Sequence, residues 1–152
     1  MLKYYNSDIV FQEIPDEVTL AVNLTGCPCR CPGCHSPQLW EDIGEPLDEA
    51  ALAAMYAEYA GEVTCIALMG GDADPAAVEK LCAYVKREIG LRSAWWSGRP
   101  ELPRGIDLGH FDYVKTGPYV EAKGGLKSRT TNQRLYHVEG GRLEDITYRF
   151  WK

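Results

Sequence analysis

The sequence predicts an α/β fold organised on parallel strands, an open sheet or a barrel closed only part-way, and three observations predict it. Apolar, β-branched runs of strand length at 18–24, 63–68, 91–96 and 111–115 alternate with segments of helical period, the pattern of a parallel sheet with right-handed crossovers. The first run, Val18-Thr19-Leu20-Ala21-Val22-Asn23-Leu24, is nearly continuous in its apolar character, as strands buried on both faces are. At 152 residues the chain is expected to form one domain spanning 1–152, large enough for a real core but short of the roughly 250 residues of a complete eightfold barrel.

Residues 1–16 are mixed and aromatic-flecked (Tyr4, Tyr5, Val10, Phe11) and read as an extended lead-in covering one edge of the sheet. After the first strand and a cysteine-rich loop, Asp48 is an N-cap. The helix it opens carries Leu47, Ala51, Ala54, Met55 and Glu58 on one stripe, with Gly61 as its stop. The second strand, 63–68, runs into Met69-Gly70-Gly71-Asp72. Asp74 caps the next helix, Pro75 sits in its first turn, and it closes near Gly90. Its apolar face is Val78, Leu81, Cys82, Val85 and Ile89, which places Cys82 in the core; Cys65, within the second strand, is expected to be a small buried apolar residue.

The third strand, 91–96, ends in Ser97-Gly98-Arg99. Trp95 and Trp96 alternate across it, so one is core and the other faces the cleft or a partner. The fourth, 111–115, ends in Thr116-Gly117-Pro118. Residues 121–132 are polar, glycine-bearing and read as a surface loop, and 135–138 and 143–150 flank Glu139-Gly140-Gly141-Arg142 as a C-terminal hairpin.

Composition narrows the function class. The net charge is −6 at pH 7 with no run of Lys and Arg to interrupt it, which argues against nucleic-acid binding. The first fifteen residues hold no apolar core of a signal peptide, and no stretch reaches the length of a membrane span. A cytoplasmic protein is expected, and a reducing compartment suits clustered free thiols.

Those thiols are the chemical centre of the sequence. Thr25-Gly26-Cys27-Pro28-Cys29-Arg30-Cys31-Pro32-Gly33-Cys34-His35 carries four of the six cysteines, at the carboxyl end of the first strand, where α/β folds place their sites. Four thiolates so close repel one another unless a metal takes up their charge. Cys27, Cys31 and Cys34 read C-x3-C-x2-C. A zinc knuckle or a disulfide pair is the competing reading, but no second C-x2-C or H-x3-H pair follows. Iron–sulfur clusters are held by such closely spaced thiolates. Three ligands on a four-iron cluster leave one iron open for chemistry. Cys29 reads as a bystander, because side chains two apart do not all converge on one cluster without a special backbone; Pro28 could supply one. His35 reads as exposed.

At these residues the chain resembles the radical S-adenosylmethionine enzymes, whose signature is this loop after the first strand of a partial barrel. Gly26-Cys27, Cys31-Pro32-Gly33-Cys34-His35, Gly70-Gly71-Asp72, Trp96-Ser97-Gly98-Arg99, Lys115-Thr116-Gly117-Pro118-Tyr119 and Thr131-Asn132-Gln133-Arg134 are similar, in order, to blocks of the activating proteins of anaerobic (class III) ribonucleoside-triphosphate reductase. Cys29 departs from that family's loop and leaves open whether a fourth thiol closes the site. Gly33 departs from the aromatic that many radical S-adenosylmethionine enzymes carry, in the manner of the reductase activators.

The resemblance implies a partial (β/α) barrel of the radical S-adenosylmethionine type and a [4Fe-4S] cluster on Cys27, Cys31 and Cys34. It further implies S-adenosyl-L-methionine bound by Gly70, Gly71 and Asp72 (Asp standing for the Glu of the family's glycine–glycine–glutamate element). Of the remaining rim residues, Ser97 could meet a ribose hydroxyl and Lys115 a carboxylate, with capping or solvation an equal reading for each. The implied partners are the large subunit of the reductase, whose glycine loop would dock near 131–134, and reduced flavodoxin or ferredoxin as electron donor. The implied reaction is formation of a glycyl radical through a 5′-deoxyadenosyl radical, with no catalytic group beyond cluster and S-adenosylmethionine. Alternatives are another activase, an enzyme of the 7-carboxy-7-deazaguanine synthase kind, or a non-catalytic iron–sulfur or zinc module.

Overall fold

The computed structural model describes residues 2–28 and 41–151. Among these residues eight strands form one sheet: β1 (Lys3–Val10), β2 (Thr19–Leu24), β3 (Glu45–Pro46), β4 (Cys65–Met69), β5 (Arg92–Trp96), β6 (Tyr113–Thr116), β7 (Arg134–Glu139) and β8 (Arg142–Asp145). Their spatial order is β3-β1-β2-β4-β5-β6-β7-β8. The centre is parallel: β2, β4, β5 and β6 lie side by side in chain order. Both flanks are antiparallel, β1 and β3 on one side and β7 and β8 on the other. The sheet is therefore mixed where the sequence reading expected parallel strands, and no barrel is closed among the described residues.

Parallel strands that advance one way through right-handed crossovers leave their connections on one face. The two α-helices among the described residues, α1 (Glu49–Ala57) and α2 (Pro75–Tyr84), pack there. Leu52, Val78, Leu81, Cys82 and Val85 join Leu20, Val22, Leu24, Ile66, Leu68, Trp95 and Val114 in the main core. Asp48 caps α1 by accepting from Ala51 N at 2.8 Å, and Asp74 caps α2 by accepting from Ala77 N at 3.3 Å. A π-turn (Val85–Ile89) continues α2 to Gly90, whose left-handed φ of 82° stops it. The β5–β6 crossover holds a 3₁₀ turn (Leu108–His110) in place of a third α-helix.

The opposite face is lined by small side chains, Cys65, Ala67 and Ala94, and covered by Ile14, Ile146, Leu126 and Phe150. The C-terminal segment lies across it. Trp151 Nε1 donates to Leu126 O at 2.9 Å, and Arg149 pairs with Asp16.

Several expectations need correction. The lead-in is a full strand, because residues 6–10 pair with 19–23 in continuous antiparallel register. Helix α1 ends at Ala57, short of Gly61; of the expected stripe, Leu47, Ala51 and Met55 pack on the core, together with Leu52, Tyr56 and Tyr59, while Ala54 and Glu58 are exposed. Leu52, fully buried, takes the centre of that face because it removes more apolar area from water than an alanine does. The second hairpin arm stops at Asp145 and turns into a 3₁₀ segment (Thr147–Phe150).

Candidate functional site

The parallel strands end on one rim, and the cysteine loop leaves from it. Thr25, Gly26 and Cys27 follow β2, with Gly26 at a left-handed φ of 71°. The feet of the segment are clamped. Gly26 N donates to Glu41 O at 2.9 Å and Thr25 Oγ1 to Ile43 O at 2.6 Å, while Thr25 N donates to Lys3 O at 3.0 Å. Cys27 is half-buried and free, in reach of solvent at the rim. Cys29, Cys31, Cys34 and His35 lie outside the described residues.

The next three strand ends are stitched together. Gly70 N donates to Trp96 O at 2.9 Å, Ser97 N to Lys115 O at 2.8 Å, and Gly117 N to Arg99 O at 2.6 Å. Asp72, buried at 4% exposure, accepts from Ser97 Oγ at 2.5 Å and from Gly98 N at 2.9 Å. Lys115, 5% exposed, donates to the carbonyls of Ser97 (3.0 Å) and Gly117 (2.8 Å). A buried charge needs such partners. Trp95, stacked on Phe111 with ring centroids 6.0 Å apart, donates Nε1 to Gly70 O at 2.7 Å. The sequence-derived site residues Gly70, Gly71, Asp72, Ser97 and Lys115 are thus brought onto one rim, with their polar groups joined to one another and to the backbone.

The two remaining described cysteines are removed from this rim. Cys65 opens β4 at the far end of the sheet and Cys82 lies under α2, at 0% and 1% exposure. Burial pushes both thiols well above their ordinary value, so neither offers the thiolate a metal takes.

A family model described as a 4Fe-4S single cluster domain matches residues 17–100, more than half of the chain. The chain belongs to the 4Fe-4S single cluster domain family. Comparison with curated proteins finds no match, and comparison with solved structures finds none. The matched span runs from Glu17, two residues before β2, to Pro100, just past the Ser97-Gly98-Arg99 turn. It contains the whole cysteine loop and Gly70-Gly71-Asp72 but neither Lys115 nor loop 121–134.

The residues present fit the family's cluster. Cys27 sits at an exposed strand end, the segment carrying the other three thiols is closed at its base, and soft sulfur donors suit iron. Among the described cysteines, the buried two, Cys65 and Cys82, lie outside the loop.

Beyond the rim, loop 121–134 of this 4Fe-4S single cluster domain protein folds back compactly. Thr130 Oγ1 donates to Lys123 O at 2.7 Å, Thr131 Oγ1 to Gly124 O at 3.0 Å, and Gln133 Nε2 to Gly117 O at 3.4 Å. Thr131 and Gln133 are buried at 4% and 8%. They anchor the loop, and its outer surface belongs to Lys123, Lys127 and Arg129. Between loop and sheet lies a cleft of about 730 Å³ lined by Trp96, Leu126, Phe150, Gln12 and Glu13 among others. Trp95 is fully buried and Trp96 lines this cleft, the division that alternation predicted.

Sequence reasoning missed one buried polar centre. Glu17, 6% exposed, accepts from Thr64 Oγ1 at 2.7 Å and Tyr113 Oη at 2.8 Å, and pairs with Arg92 at 3.3 Å. Burial, reinforced by Glu17, pushes the Tyr113 phenol up. These residues lie 47 to 96 positions from Glu17 in the chain, so no local pattern joins them.

Proposed function

We propose that this 4Fe-4S single cluster domain protein is a radical S-adenosylmethionine activase that raises a glycyl radical on an anaerobic ribonucleoside-triphosphate reductase. The observation that carries the reading is the shared rim: a cysteine loop leaving the first parallel strand, with Gly70-Gly71-Asp72, Ser97 and Lys115 at the ends of the next three. Ligands of α/β proteins lie outside the carboxyl ends of the strands. Strand order adds support, because parallel strands advancing in one direction with both α-helices on one face are what a part-closed barrel requires.

In this reading Cys27, Cys31 and Cys34 hold the cluster, and Gly70, Gly71, Asp72, Ser97 and Lys115 meet S-adenosylmethionine. The bound cluster would supply the electron that cleaves the sulfonium–C5′ bond. The protein's part is alignment. Asp72 and Ser97 fix each other and the Gly98 amide, Lys115 ties the third strand end to the fourth, and Trp95 holds the Gly70 carbonyl. A ligand at the rim would extend or exchange these bonds. The cleft beside Trp96 leaves room for a macromolecular substrate to approach. The loop that Thr131 and Gln133 anchor would stand at that approach.

The test is reduction of anaerobically reconstituted protein with S-adenosylmethionine. Release of 5′-deoxyadenosine, and a glycyl radical seen by electron paramagnetic resonance on co-expression with a reductase, are expected. Tetrahedral zinc alone, or a cluster with four protein thiolates and no 5′-deoxyadenosine, would overturn the proposal.

A further inference from the structure

We propose that residues 148–151 form a strap, hinged at Thr147 and latched by Arg149 on Asp16, that swings out when an extended segment of a protein substrate enters the cleft beside Trp96. The strap rests on the packing and bonding of this chain; what passes beneath it rests on the activase reading above.

The sheet face opposite the helices has a cover in two parts. Its floor is Cys65, Ala67 and Ala94, whose small side chains rise little above the strands and leave space that other groups must fill. Ile14 and Ile146 fill part of it and are fixed. Both are buried, and Ile146 N donates to Leu135 O at 2.9 Å. Leu126 and Phe150 complete the cover from outside and are only half-buried. Thr147 divides the two parts. It is fully buried, its Oγ1 accepts from Leu135 N at 2.8 Å, and its own N donates to Asp145 Oδ1 at 2.9 Å. Movement beyond that anchor leaves β7 undisturbed. Past it, Tyr148 and Arg149 are exposed, and Phe150 and Trp151 are half-buried.

Three polar contacts hold the strap down. Arg149 pairs with Asp16, Trp151 Nε1 donates to Leu126 O at 2.9 Å, and the Arg134 guanidinium lies 5.9 Å from the centre of the Trp151 ring. None of these residues is buried. Exposed ion pairs and single neutral hydrogen bonds are weak ties, and segments held by them open locally without global unfolding. The latch carboxylate also sits on a strained backbone. Asp16 is the only non-glycine residue at positive φ among the described residues, at 67°, and such strain collects at switch segments.

What the strap closes is specific. Phe150 lines the cleft of about 730 Å³ beside Trp96 and also a second of about 500 Å³ lined by Pro15, Asp16 and Arg149. With Gln12 and Lys127 it forms the border the two share. Swinging Phe150 out joins them into one trough. Its inner end is Trp96, the residue before Ser97 on the rim from which the cysteine loop leaves. A trough running from solvent to that rim suits an extended polypeptide segment, and the closed strap blocks it. The bond from Trp151 to Leu126 couples strap and loop 121–134, so the two open together.

The test uses the cluster-loaded full chain under anaerobic conditions and two readouts. Hydrogen exchange by mass spectrometry compares wild type with Asp16→Asn/Arg149→Ala, which removes the latch charges and keeps a residue tolerant of positive φ at 16, and with Trp151→Phe, which loses the indole donor. Exchange in 148–151 and 124–128 should quicken about threefold or more in both variants, with β4, β5 and β6 unchanged. Glycyl-radical formation is then followed against the concentration of an anaerobic reductase large subunit. KM for that subunit should fall about threefold or more, because more of the protein stands open, while 5′-deoxyadenosine released without the reductase should not change. Arg142→Ala/Glu144→Ala removes an equal pair of charges from exposed positions on β8 and should match wild type in both readouts. Faster exchange throughout the sheet, no change in 148–151, or an unmoved or raised KM shows the strap to be a fixed part of the core and overturns the proposal. Should wild type itself release no 5′-deoxyadenosine, the activase reading falls and the exchange pattern decides the strap by itself. If the double variant fails to load its cluster, Trp151→Phe carries both comparisons.

Discussion

Gly70 and Gly71 are adjacent and both have positive φ, 111° and 87°, yet substituting them should have unequal effects. An alanine at either position forces an L-residue into a conformation that costs about 1–3 kcal/mol, lessened by about 0.4–1 kcal/mol because the unfolded chain also loses freedom. At Gly70 the new Cβ meets only Leu24, at an ordinary 3.5 Å. At Gly71 it falls 2.5 Å from Val78 Cγ2 and 2.9 Å from Leu24 Cδ1. Val78 is fully buried and Leu24 nearly so, at 0% and 1% exposure, so neither side chain yields freely, and overpacking adds about 1–3 kcal/mol. Gly70→Ala should therefore destabilise by roughly 1–2 kcal/mol and Gly71→Ala by roughly 2–5 kcal/mol, a large part of a typical domain's stability. Urea unfolding followed by tryptophan fluorescence, with iron content measured in parallel, distinguishes them. Equal losses, or a larger loss at Gly70, would refute the view that Gly71 serves close packing of α2 on β2.

Other substitutions separate packing from ligation. Trp95→Phe keeps the stack on Phe111 but leaves the Gly70 carbonyl without its indole donor, which should cost about 1–3 kcal/mol in thermal or urea unfolding. Cys27→Ala should abolish iron binding, whereas Cys29→Ala and Cys65→Ala should retain it, as read by iron and sulfide analysis of anaerobically reconstituted protein. Alkaline pH should weaken the fold. The Cys65 and Cys82 thiols stay protonated when folded but ionise from about 9.0 when unfolded. The unfolded state then binds fewer protons, so stability is unaffected below pH 9 and falls above it by roughly 1 kcal/mol per thiol per pH unit. Replacing both with alanine should flatten that alkaline slope in urea titrations from pH 8 to 10, even as neutral-pH stability drops.

What could be read from the chain divides along physical lines. The four central strands and α2 were legible because their signals are local: continuous apolar runs, caps at Asp48 and Asp74, and the three- and four-residue spacing of Val78, Leu81, Cys82 and Val85. The flanks were legible only in part: Glu139-Gly140-Gly141-Arg142 announced the β7–β8 hairpin, but the pairing of the N-terminal segment was not written locally. Residues 6–10 mix Asn, Ser and Asp with Ile and Val, and become a strand through pairing with β2, a tertiary effect that overrides weak propensity. In α1 an alanine-rich sequence offers several candidate stripes, and the choice of Leu52 depends on what it packs against. At the site, residue types announced sulfur chemistry, and the turn motifs pointed to the strand ends. The bond from Asp72 to Ser97 and the anchoring role of Thr131 and Gln133 depend on backbone positions that no spacing encodes.

The clamp beneath the cysteine segment bears on how the protein matures. Joining the ends of about fourteen residues carries an entropic cost of roughly 2 kcal/mol, and here Gly26–Glu41 and Thr25–Ile43 meet it within the polypeptide. Metal acquisition then has less to organise, and the hydrophobic body stands independently of its cargo. Stripping iron with a chelator should leave far-ultraviolet circular dichroism and the urea midpoint of the scaffold nearly unchanged, the opposite of a zinc finger, and insertion should proceed on an already folded recipient.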